Sequence, residues 1–78
     1  MIHYLLLAFA LNFTDPTVIC TGKNRTTGTS IQLVAIGQKN YLIRYDAAGN
    51  QNGQPQETQM NSDKFAVWAV PLGYTTDC

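Results

Sequence analysis

The sequence predicts an all-β fold, a small antiparallel barrel or sandwich of four to five short strands closed by one disulfide. Three observations lead there. Runs of β-branched and aromatic residues recur between polar, glycine-bearing turns. No strong amphipathic helical period shows beyond the first residues. The only cysteines, Cys20 and Cys78, stand at the two ends of the β-rich part.

The chain divides at Asp15-Pro16, a punctuating pair. Residues 1-14 form an apolar leader and residues 15-78 a single small β domain. From Ile2 to Phe13 no side chain is charged. Leu5-Leu6-Leu7 leads into Ala8-Phe9-Ala10, the small-x-small form of a signal-peptide cleavage site. Met1-Ile2-His3-Tyr4 lacks the Lys or Arg of a signal's first region, so a first structural element retained in the mature fold is the other reading. The apolar run is shorter than the roughly 20 residues needed to span a bilayer as a helix, and no membrane span is expected.

Residues 17–21 are β-branched apart from Cys20 and read as a strand. Residues 22–28 set Lys23, Asn24, Arg25 and two threonines between glycines, a polar turn. Residues 29–36 are the clearest strand, with Gln32 the only polar residue from Ile31 to Ile36, as in a strand covered on both faces. Gly37-Gln38-Lys39-Asn40 is a turn into residues 41–45. There Tyr41, Ile43 and Tyr45 point one way and Leu42 and Arg44 the other, which completes a hairpin. Residues 47–63 are rich in amides and glycine, and a short edge strand at residues 56–60 after Pro55 breaks up that length. Residues 65–70, Phe-Ala-Val-Trp-Ala-Val, read as a strand ended by Pro71 and Gly73. Residues 74–78 are a last strand that returns Cys78 to Cys20.

A chain of 78 residues is one domain, and a core this small often needs a covalent tie. Two cysteines admit one intramolecular pairing. On the chain-entropy model a loop of this length is worth roughly 4 kcal/mol. Such a bond persists in oxidising compartments, so a secreted or periplasmic location is expected.

Five basic residues balance five acidic ones. Lys23, Arg25, Lys39, Arg44 and Lys64 stand singly, without the basic stripe that nucleic acid requires. No nucleic-acid partner is expected. Near-zero net charge also removes long-range repulsion between copies.

His3 is the sole histidine, and neither Ser30 nor Ser62 stands in a nucleophile motif. One histidine and two distant cysteines do not make a zinc set. Asp15, Asp46, Glu57, Asp63 and Asp77 are the carboxylates, mostly beside turns, and nothing in their spacing brings two together for glycoside chemistry. No enzyme activity, catalytic residue, cofactor or metal is therefore expected. Asn12-Phe13-Thr14 and Asn24-Arg25-Thr26 match the glycan acceptor pattern, which so many Asn and Thr produce by chance.

Of the aromatic residues Tyr41, Tyr45, Phe65, Trp68 and Tyr74, Trp68 projects from the strand face opposite Phe65 and Val67, if residues 65–70 are a strand. Loops carry recognition, which adds the amide-rich stretch to the candidates. The candidate binding residues are Trp68, Tyr45, Asn50, Asn52 and Gln54.

Tyr45-Asp46-Ala47-Ala48-Gly49-Asn50 resembles the Y-D-x-x-G-N centre of the YD (Rhs-type) repeat, whose units are β-hairpins. No second copy follows, and the match reads as the same turn chemistry. The layout of leader, early cysteine, tryptophan segment and terminal cysteine is similar to the small periplasmic inhibitors of c-type lysozyme, which are disulfide-closed antiparallel barrels. The stretch after Trp68 is too short for that family's last hairpin and its Gly-containing Trp motif is absent, so no site residue follows from the likeness.

The expected function is that of a small exported, non-enzymatic module that binds a protein or glycan through surface loops, with an inhibitor as one form of it. The alternative is a structural subunit that pairs with copies of itself in an extracellular filament or surface layer through open strand edges.

Overall fold

The computed structural model describes residues 15–78. The leader, with His3, the Ala8-Phe9-Ala10 pattern and the Asn12 acceptor, lies outside the described residues.

Five strands form one antiparallel sheet. They are β1 (Thr17–Asn24), β2 (Ser30–Ile36), β3 (Lys39–Tyr45), β4 (Gln56–Thr58) and β5 (Tyr74–Thr76), in the order β4-β3-β2-β1-β5. Helix α1 (Ser62–Ala69) and a 3₁₀ turn (Val70–Leu72) connect β4 to β5. The architecture is all-β and antiparallel, with the expected Cys20–Cys78 disulfide. The sheet is not closed into a barrel: the two short strands β4 and β5 are its opposite edges, and one helix takes the place of a second layer.

β1 runs three residues past the expected strand, because Gly22 pairs with both Ile31 and Thr76. The β2–β3 connection is tighter than expected. Gly37 at φ +66° lets the chain reverse through Gly37-Gln38 alone. β4 falls at an edge after Pro55, and β5 returns the chain to β1, both as the sequence implies.

Residues 65–70 are a correction, since they are helical and not a strand. The Asn61 side chain accepts the Lys64 N–H at 2.9 Å and caps the first turn, with Asp63 inside it at the positive end of the helix. Every residue from Phe65 to Val70 is apolar, so the run carries no period to separate helix from strand. Phe65 and Ala69, one helical turn apart, are the two that are buried. Pro71 enters the 3₁₀ turn near its start, and Gly73 at φ +97° ends it.

The core lies between α1 and one face of the sheet. Cys20, Ile31, Leu33, Leu42, Phe65 and Ala69 form it, with Met60, Trp68 and Tyr74 packed against its margin. Cys20 pairs with Leu33 and Leu33 with Leu42, which places these side chains in one row across three strands. A bulge between Val18 and Cys20 resets the alternation of β1, so that Cys20 enters the core while Ile19 is left outside. The disulfide then joins this row to the chain end, with Cα atoms 5.4 Å apart. It also lies at the start of α1, with Cys78 Sγ 3.5 Å from the Ser62 carbonyl oxygen.

Candidate functional site

Strand alternation decides what the other face of the sheet carries. Leu42 is in the core, so its neighbours Tyr41 and Ile43 point away from the helix, and so does Tyr45. Register extends this across the sheet: Val18 pairs with Val34, Val34 with Tyr41, and Tyr41 with Glu57. Thr21, Gln32 and Ile43 form the next row. Among the described residues the one α-helix packs on the opposite face. Val34 is nonetheless buried, while Tyr41, Ile43 and Tyr45 are half-buried and Val18 is 50% exposed. The result is an apolar and aromatic strip across the middle strands of this face. Its rim is charged at one side by Lys39 and Glu57, whose exposed ion pair measures 3.6 Å. Tyr45 is held in place, its hydroxyl donating to Gln32 Oε1 at 3.1 Å.

The sequence candidates fall in two separate places. Tyr45, Asn50 and Asn52 come together at the end of β3. There the loop doubles back, with a bridge between Tyr45 and Gln51 and the Asn52 N–H donating to the Arg44 carbonyl at 2.8 Å. The Asp46 carboxylate closes that turn by accepting the N–H groups of Ala48 (3.0 Å) and Asn50 (2.9 Å), and Gly49 adopts φ +87°. This is the physical content of the Y-D-x-x-G-N pattern: a carboxylate, two amides, and a left-handed position that favours glycine. Gln54 is exposed farther along the loop. Trp68 is on the far side of the sheet, on α1. It does not oppose Phe65, because in a helix residues three apart share a side. Its ring lies 6.1 Å from that of Phe65, tilted by 50°, at the margin of the core.

Alternation in the sequence places Tyr41, Ile43 and Tyr45 on one face, but which face is open depends on the helix, and the apolar run 65–70 suggests a strand instead. Also unforeseen is a shallow depression of about 290 Å³ beside the β5 edge, lined by Thr21, Lys23, Arg25, Thr75, Thr76 and Asp77. A smaller polar recess of about 150 Å³ lies at the other edge, between the β2–β3 turn and β4.

Among the described residues, one set of possible metal-binding groups converges: Cys20, Asp77 and Cys78. Both sulfurs are committed to the disulfide, and Asp77 Oδ1 accepts the Thr21 N–H at 2.6 Å. The grouping works as a clasp on β1. No helix among the described residues is long and apolar enough to cross a membrane.

Comparison with protein-family models, with curated proteins and with solved structures gives no significant match.

Proposed function

We propose that this chain is a small exported, non-enzymatic binding module that takes a protein partner on the open face of its sheet. The observation that carries the reading is the one-sided cover: α1 shields one face, while Val18, Tyr41, Ile43 and Tyr45 face outward on the other. Aromatic and aliphatic side chains at the centre with charge at the rim are the anatomy of a protein interface. The loop residues Asn50 and Asn52, beside Tyr45, extend the surface at one end. The disulfide supports export to an oxidising compartment, where such a bond endures.

The test pairs the wild type with a Tyr41→Ala/Ile43→Thr variant that keeps its unfolding curve. Equimolar capture of one extracellular protein by the wild type, lost in the variant, supports the reading. Retention on a polysaccharide matrix that the same substitutions abolish would replace the protein with a glycan. The mass of the mature protein tests export, with a start after Ala10 expected.

A second reading, a subunit that assembles with its own copies, is favoured by one observation. β5 pairs with Gly22, Lys23 and Asn24, so among the described residues the first half of β1 has no partner strand on that side, and the exposed Val18 and Ile19 belong to it. Light scattering that shows size growing with concentration would select it.

A further inference from the structure

Antiparallel register determines which backbone groups leave the sheet at β5. The Asp77 N–H donates to the Thr21 carbonyl at 3.1 Å, so Thr21 and Asp77 face each other as a hydrogen-bonding pair. Bonding and non-bonding pairs alternate along an antiparallel ladder, which makes Lys23 and Thr75 the next bonding pair. The N–H and C=O groups of Tyr74 and Thr76 therefore point outward, off the edge. An extended chain laid along β5 finds donors and acceptors in register there.

The side chains beside this edge are cationic. Lys23 shares a row with Thr75 on the open face, and Arg25 follows β1 directly. Neither makes an ion pair among the described residues. The one carboxylate in the depression, Asp77, is turned inward to the Thr21 N–H. Two threonines, Thr21 and Thr75, stand on the open face there, and their small side chains leave room above the backbone. A strand added outside β5 places alternate side chains on the open face, about 10 Å (two strand spacings) from the Lys23 backbone. A glutamate and a lysine side chain together span that gap.

We infer that the outer edge of β5 receives an extended acidic peptide as an added strand, its carboxylates lying over Lys23 and Arg25. The inference rests on the binding-module reading and names the chemistry of the partner segment. Charge complementarity sets the sign of the ligand, and the outward backbone groups set its class.

The probe is a short peptide of alternating glutamate and threonine, titrated into the disulfide-bonded protein at low ionic strength. Binding is expected, and it weakens as salt is added. A Lys23→Gln/Arg25→Gln variant should bind roughly tenfold more weakly, since both cations are exposed. Thr76→Pro removes an outward N–H that β1 does not use, and should abolish binding while the far-ultraviolet spectrum and the disulfide persist. A sulfated oligosaccharide, with charge but no peptide backbone, should bind weakly. Failure of the peptide to bind overturns the inference, as does equal binding by Thr76→Pro or tighter binding of the oligosaccharide. If the peptide fails while Tyr41→Ala/Ile43→Thr still loses its protein partner, the edge assignment falls and the module reading stands.

Discussion

Phe65 rests on Gly22. A Cβ built at Gly22 would meet Phe65 Cζ at 3.5 Å, Ile31 Cγ2 at 3.2 Å and Tyr74 Cβ at 3.3 Å. Three elements meet at that point: the helix, the central hairpin and the edge strand. A side chain there must push its neighbours aside. Gly22→Val should therefore destabilise the fold by about 1–3 kcal/mol through overpacking. Phe65→Ala, which empties the same site, should cost about 3–5 kcal/mol. Urea titration of both variants checks this. Gly22→Val at wild-type stability would mean that α1 does not press on the sheet at this position.

The disulfide ties the row Cys20–Leu33–Leu42 to the end of the chain across a separation of 58 residues. Chain entropy sets its expected contribution at about 4 kcal/mol. Cys20→Ala/Cys78→Ala should lose most of that, and wild-type protein in reductant should unfold at a matching urea concentration. β5 should loosen first, because it is a three-residue edge strand held chiefly by β1, α1 and the 3₁₀ turn besides the sulfur bridge. Hydrogen exchange at the Thr75 amide reports that directly. Equal midpoints with and without reductant would refute the role of the bond.

Asn61 caps the helix that carries the apolar run from Phe65. Its carbonyl accepts the Phe65 N–H at 2.9 Å and its side chain the Lys64 N–H at 2.9 Å. Asn61→Ala should cost about 1 kcal/mol, and Asn61→Asp should restore it. Thermal unfolding of the two variants side by side is the measurement. Loss in Asn61→Ala without recovery in Asn61→Asp would point to a contact other than the cap.

What was legible in the sequence follows from this contrast. Strand β2 could be read from its apolar, β-branched run between glycines, and β3 from its period-2 alternation. The Asp46 turn could be read because its residues bond locally. The disulfide could be read because two cysteines leave one partner choice. The helix was not read, since six apolar residues in a row erase the period, and the only local signal was Asn61-Ser62-Asp63 ahead of them. That single misreading turned Trp68 outward and hid which face of Tyr41-Ile43-Tyr45 is open. The depression at β5 depends on the pairing of Lys23 with Thr75, a register between residues 52 positions apart (75 − 23) that no local pattern encodes.

Trp68 and Tyr41 should consequently respond in opposite ways. Trp68 packs on the core beside Phe65, so Trp68→Ala removes buried aromatic area and should cost about 2 kcal/mol or more. It should leave partner affinity unchanged at temperatures where the variant is folded. Tyr41 stands on the face away from the helix, between Val34 and Glu57, where truncation takes area from the surface and little from the core. Tyr41→Ala should shift unfolding by less than about 1 kcal/mol, a little more than a fully exposed substitution because its ring is half-buried. It should weaken partner binding by about tenfold or more, as loss of a central aromatic does. Calorimetry for stability and titration for affinity, run on both variants, separate the two roles. Affinity lost with Trp68→Ala and kept with Tyr41→Ala would move the binding surface to the helical side of the sheet, where Val67 and Leu72 are exposed.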